Sequence, residues 1–354
     1  MEKNTIIALC LGVFLMLSFV VIYSIPVPAS AASDKPIELK VGYMMPAQGI
    51  DTIRGYVPWG KMVEEATHGK VKIVHYPSES LFTTKEAITA VESGLADMSI
   101  SPLGYFSGRF NLTEVMFLPF LLKSRSPRVN SGIMQRLYDT VPEVQKEWST
   151  MKLLCIYTTG PYFIASKKPI RNMGDLKGLR VRAAGKDAIK LVKDLGASPV
   201  TTAAPDVYEA AAKGVIDATL LVPIMVIDWK LYEVFPYWTD VVLWPSVCFT
   251  TMNLKKWNSL PSDVQDGIMS VSGLKGAQFT GEHAFEVKED IEKEIKASGK
   301  KFERVDLDKG ELEKWKKRFG EPMWKEWVAD KEKMGLAGQK VLDAVRKLVD
   351  KYSE

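Results

Sequence analysis

Short β-like runs and helically spaced segments take turns along this chain, and that alternation leaves few folds open to it. IELKVGY (37–43) alternates apolar and polar residues and ends in the Met44-Met45-Pro46 loop. Residues 52–66 have helical spacing, His68-Gly69 closes that segment, and VKIVHY (71–76) reads as a second strand. KEAITAVESG (85–94) is an amphipathic helix ending at Gly94, and MSIS (98–101) is the third strand. Strand–helix–strand–helix–strand is the pattern of a parallel sheet with helices on its faces. The pattern restarts with LLCIYTTG (153–160), FIAS (163–166) and DLKGLRVRAA (175–184), which ends in a short strand. A helix over 186–196 stops at Gly196, Pro199-Val200 begins a brief strand, 206–214 is helical and IDATLLV (216–222) is extended. SVCFTTMN (246–253) is one more strand, followed by a long helical tract from Pro261 to Ser298. Two α/β units without internal repetition predict two similar lobes, and 354 residues suffice for both. Ligands in open α/β sheets bind beyond the carboxyl ends of the strands, so function is sought in the loops after Tyr43, Ser101, Gly160 and Ala184.

The N-terminus obeys different rules. Lys3 precedes an uncharged apolar run from Ile6 to Ile25, then Pro26, Pro28 and Ala29-Ser30-Ala31-Ala32. A basic start, an apolar middle and a small-residue end read as a secretory signal over 1–32, cleaved after Ala31 or Ala32. The competing reading is a retained membrane anchor, since the run approaches a bilayer span. Lipidation at Cys10 is rejected because Leu9 stands where a small residue is needed. The expected location is the periplasm. Export would permit Cys155 and Cys248 to pair, but both lie in apolar β-like runs where buried free thiols are the simpler outcome.

The chemistry available is sparse. The formal charge of +4 gives no reason to expect nucleic acid as a partner. Three His and three Cys leave little for metal or thiol chemistry. His68, His75 and His283 are far apart, and no nucleotide-binding, zinc-protease, redox or nucleophile-elbow motif occurs. No catalytic residue, metal or cofactor is assigned. Trp315, Trp324 and Trp327 near the C-terminus are read as helix packing, and the mixed charges around them as a solvated face. What remains is DLKGLRVRAAG, where Arg180 and Arg182 stand two apart in a predicted strand. They are expected to face opposite ways, one to solvent and one to a cleft. A guanidinium fork at a strand's C-terminal end suits bidentate capture of a carboxylate.

These residues belong to a longer ordered series. YPSESL, AVESGLADMSISPLGYFSGRF, EVMFLPFLL, DLKGLRVR, LGASPV, DVYEAAAKGVID and TMNLKKWNSLPSDVQ occur in that order over about 38–290. The series resembles the DctP-type substrate-binding proteins of tripartite ATP-independent periplasmic (TRAP) transporters. The resemblance implies a two-lobed, periplasmic-binding-protein-like α/β fold, with hinge strands and a long helix linking the lobes. We assign 33–159 with 248–287 to lobe I, and 160–247 with 288–354 to lobe II. It also implies closure over a small organic acid and delivery to TRAP membrane permease subunits driven by an ion gradient. The chain is expected to be a monomer.

Arg182 matches the family's carboxylate-binding arginine. Sialic-acid-binding relatives carry a second arginine where this chain has Tyr162, and an asparagine where it has Leu221. Losing a cation and an amide favours an apolar or aromatic monocarboxylate over a second carboxylate or a sugar. Candidate pocket walls are Tyr105, Phe106, Tyr162, Trp229, Trp244 and Phe249, each of which could equally pack in a core. The expected function is an extracytoplasmic solute receptor. The alternatives are a secreted enzyme acting on a small organic acid and a periplasmic ligand sensor.

Overall fold

The computed structural model describes residues 35–202 and 206–353. The expected leader, with its cleavage positions and Cys10, lies outside the described residues. In β1 (Ile37–Gly42) Leu39 and Val41 are fully buried while Glu38 and Lys40 face solvent, the period of two that the sequence displays. β1 runs parallel to β2 (Val71–Tyr76) on one side and β3 (Met98–Pro102) on the other. The crossovers are α1 (Val57–Ala66), entered through a π-helical turn at Thr52–Tyr56, and α2 (Ala87–Ser93). α2 stops at Gly94, whose φ of +81° is open to glycine at no steric cost.

After α3 (Pro127–Thr140) and α4 (Pro142–Lys146), the long strand β4 (Met151–Pro161) completes its pass through the first sheet. The chain continues directly into β5 (Phe163–Ser166), which belongs to a second sheet. There follow α5 (Met173–Leu176), β6 (Arg180–Arg182), α6 (Lys186–Asp194), β7 (Ser198–Val200), α7 (Val207–Ala212), β8 (Ala218–Leu221), α8 (Ile224–Asp228) and β9 (Tyr237–Thr239). β10 (Pro245–Asn253) returns to the first sheet, whose order is β2-β1-β3-β10-β4. The C-terminal part comprises α9 (Leu254–Ser259), α10 (Ser262–Ser270), α11 (Gly273–Phe285), α12 (Lys288–Ser298), β11 (Glu303–Val305), α13 (Glu311–Trp315), α14 (Glu321–Lys333) and α15 (Gly338–Tyr352). β11 joins the edge of the second sheet, ordered β11-β9-β5-β8-β6-β7.

The two-lobed α/β fold is therefore present, with three departures from the sequence reading. Both sheets are mixed rather than parallel. β10 is antiparallel to β3 and β4, and β5 is antiparallel to β8 and β9, because strands that arrive by crossing between sheets enter from the opposite end. Second, the helical tract expected from about Pro261 to Ser298 is divided into α10, α11 and α12. It breaks where Ser272 is extended and Gly273 takes φ +53°, and again at Glu286 with ψ 83°. Third, α15 packs on α3, and Val341, Leu342, Val345 and Val349 enter the apolar cluster of the first sheet. The sequence reading had allotted all of 288–354 to the second lobe.

α11 lies unusually close to α3. A Cβ on Gly281 would stand 2.7 Å from the Pro127 carbonyl oxygen and would also collide with the Ser131 hydroxyl. The tryptophans of the C-terminal region pack as expected. Trp315 is fully buried, Trp324 donates its indole N–H to the Pro119 carbonyl at 2.8 Å, and Trp327 lies against the first sheet's cluster. Among the described residues no helix is long and apolar enough to cross a membrane.

Candidate functional site

A spacing of two along an extended strand puts both side chains on one face, so alternation is not what separates Arg180 from Arg182. Their positions along β6 do that. Arg180 opens the strand in solvent and grips Asp217 with two bonds, Nε to Oδ2 at 2.9 Å and Nη2 to Oδ1 at 2.8 Å. Arg182 closes it between β7 and β8, opposite Val200 and Thr219, and only 4% of it is exposed. Nε and Nη2 donate to the Thr202 carbonyl at 3.2 and 3.1 Å, and Nη1 reaches the Leu220 carbonyl at 3.5 Å. No carboxylate among the described residues forms an ion pair with it. Burial pulls its pKa below the ordinary arginine value, opposed by Tyr162 and Tyr105. A buried cation held only by carbonyl dipoles is costly unless something anionic completes it.

Three of the other candidates gather around this group. Tyr162 sits at the junction of β4 and β5. Its amide donates to the Trp244 carbonyl at 2.7 Å, and its ring stacks on Trp244 with centroids 5.7 Å apart and planes at 27°. Tyr105 ends the short turn after β3 and is 45% exposed. Burial raises the phenol pKa of both tyrosines, and Arg182 lowers both, which places the guanidinium within electrostatic reach of each. The first sheet thus contributes Tyr105, and the second contributes Arg182.

The remaining candidates lie elsewhere. Phe249 is fully buried in the first sheet's core, 5.0 Å from Trp148, 6.1 Å from Phe110 and 5.8 Å from Phe106. It is a core residue rather than a pocket wall, since β10 is a central strand with covered faces. Phe106 packs half-buried against that core. Leu221 is fully buried opposite Phe163, and Trp229 is half-buried at the end of α8.

Sequence reasoning missed a buried polar group near Tyr43 and Cys248. Asp51 precedes the first helical tract and looks like an ordinary N-cap, but it is fully buried. Its Oδ1 accepts the Thr52 amide at 2.8 Å, while Oδ2 has no partner among the described residues. Burial, reinforced by Asp228, pushes its carboxyl up to about 7. Tyr43 lies nearby, its hydroxyl 3.3 Å from His75 Nδ1, and burial raises that phenol to about 12. The Cys248 thiol lies within electrostatic reach of both Asp51 and Tyr162. Cys155 and Cys248 are free and buried. In the β4–β10 register Cys155 faces Thr250 and Cys248 faces Tyr157, so the two thiols are not opposed. Among the described residues no three His, Cys, Asp or Glu side chains converge as a metal site would require.

Comparison with known proteins shows the family of the chain. The family model for bacterial extracellular solute-binding protein, family 7 (DctP), matches residues 47–331. A solute-binding protein of Albidiferax ferrireducens is 26% identical over 313 residues, covering 86% of this chain and 91% of its own. The C4-dicarboxylate-binding periplasmic protein DctP of Rhodobacter capsulatus is 25% identical over 250 residues, 69% of this chain and 72% of its own. Among solved structures, a TRAP solute-binding protein of an unidentified marine microbe superposes with a TM-score of 0.82 at 26% identity. The match covers 90% of this chain and 100% of the other, which is specific for aromatic acid ligands and holds 3-hydroxybenzoate.

Proposed function

This chain belongs to bacterial extracellular solute-binding protein family 7, the DctP-type receptors of TRAP transporters, and we propose that its ligand is a monocarboxylate with an aromatic or apolar body. The observation that carries the reading is Arg182, a buried guanidinium with no carboxylate partner in the described chain. A ligand carboxylate would take the two outward N–H groups of the fork, and the charge-assisted bonds would replace the water both ions lose. The stacked Tyr162–Trp244 pair would lie along the ligand body, with Tyr105 covering it from the first sheet. Family relatives of similar identity bind different acids, so overall likeness does not select the class. The second arginine that a dicarboxylate would use is replaced by Tyr162, which favours one carboxylate over two.

On this reading the two lobes pivot at the crossings near Pro161, Trp244 and Glu286, and closure removes the carboxylate from water. The receptor then delivers its ligand to a TRAP membrane permease. We further propose that it works as a monomer in the periplasm, with a mature N-terminus at Ala32 or Ser33. N-terminal sequencing and light scattering check these two points directly.

A thermal-shift screen over benzoate, 3-hydroxybenzoate, mandelate, succinate and aliphatic monocarboxylates tests the ligand class, with mass spectrometry of co-purified acids. Stabilisation by the aromatic monocarboxylates, and none by succinate, is expected. Stabilisation by succinate alone would overturn the class while leaving the family intact.

A further inference from the structure

Behind Phe163 of β5 lies a second cavity, of about 130 Å³, whose lining is separate from the residues around Arg182. None of Arg182, Tyr162, Tyr105 and Trp244 lines it, so the two sites are distinct. The cavity borders three of the chain crossings between the two sheets. Gly160 and Pro161 come from the β4–β5 junction, Asp240 and Val241 from the β9–β10 passage, and Phe285 to Lys288 from the break between α11 and α12. Its aromatic wall is continuous: Phe163 lies 4.1 Å from Trp238, and Trp238 lies 4.6 Å from Phe302 in an edge contact.

The chemistry of the cavity suits an uncharged guest. The cations at its rim are matched by anions, since Asp240 holds both Arg125 (3.1 Å) and Arg304 (2.7 Å), while Lys288 stands among Glu286 and Glu292. Trp238 is buried, and its indole Nε1–H has no partner among the described residues. A cavity of roughly 150 Å³ binds a benzene ring, so at about 130 Å³ this one is limited to a single small ring. A ring carrying one hydrogen-bond acceptor would fill this one and offer that indole an acceptor.

We propose that this cavity is a regulatory site for a small uncharged aromatic molecule, whose occupancy sets the angle between the two sheets. Because the guest touches three of the crossings, it binds unequally to arrangements that differ at those crossings. By linkage it then changes affinity at the Arg182 site, which rests on the function proposed above.

Benzyl alcohol is the probe, added to the mature protein. Calorimetry and fluorescence should detect its binding to Arg182→Met as well as to the unmodified chain, and small-angle scattering should detect a change in radius of gyration. Cavity-filling Ile291→Trp should lose that binding, and Val241→Phe serves the same purpose if the first variant does not fold. In the unmodified chain, saturating benzyl alcohol should shift the Kd of the tightest acid from the screen at least fivefold without competing for its site. Simple competition with the acid, or binding that survives both filling variants, would overturn the proposal. So would the absence of binding. Failure to bind any acid would refute the ligand class alone, because the Arg182→Met titration does not depend on it.

Discussion

Replacing Arg182 with methionine separates a ligand-binding arginine from a structural one. Methionine keeps most of the buried volume and removes the charge. In the ligand-free protein two effects oppose each other. The variant loses the bonds to the Thr202 and Leu220 carbonyls, about 1.5–3 kcal/mol for bonds to a charged group. It also relieves the several kcal/mol that burying an unpaired ion costs. Arg182 is 4% exposed and has no carboxylate partner among the described residues, so the second effect applies nearly in full. The ligand-free Tm should therefore hold or rise slightly.

With ligand the outcome reverses. At a concentration 100 times Kd, the unmodified protein gains about 2.7 kcal/mol, or roughly 5 °C for a chain of this size. In the variant the ligand carboxylate would be buried without its cation. That costs about 3–5 kcal/mol, an affinity loss of roughly 10²- to 10⁴-fold. At the same concentration the remaining stabilisation is below about 0.5 kcal/mol, under roughly 1 °C. Differential scanning fluorimetry with and without the acid measures both quantities. A variant that keeps the acid-induced shift would refute the assignment. So would one whose ligand-free Tm collapses, since Arg182 would then be a structural cation.

Three further outcomes are expected. Asp51 binds its proton up to about pH 7 in the folded chain, against an ordinary value of 3.8. Between those values the folded state holds more protons than the unfolded one, so its contribution to stability falls as pH rises. Asp51→Asn should flatten the decline in Tm between pH 5 and pH 7.5, and an unchanged slope would mean that another group causes it. Tyr162→Arg places a second cation beside Arg182 and should admit succinate; a calorimetric titration without heat would count against this map of the wall. Burial pushes the Cys155 and Cys248 thiols up to about 12. Neither should react with a thiol reagent until guanidinium unfolds the chain, and rapid labelling of the native protein would contradict their burial.

Much of this protein is written in local sequence. Strand period, helix spacing and the stop at Gly94 are short-range properties, and each reappears where the residues predict it. The ordered series that includes GLRVR marks the family, and its resemblance singles out Arg182. Some features are not local. That Arg182 is buried and Arg180 exposed follows from which strands flank β6, not from their spacing. Phe249 and Trp244 are equally apolar in the sequence, yet only tertiary packing puts one inside the first sheet's core and the other under Tyr162. Asp51 carries an ordinary capping signature, yet it is fully buried, and Asp228, far along the chain, adds to the upward shift of its carboxyl. The sequence alone determined many of the elements and the family, because those depend on neighbours along the chain. Tertiary structure decided which polar groups lose water and which find partners, because desolvation depends on everything packed around a group.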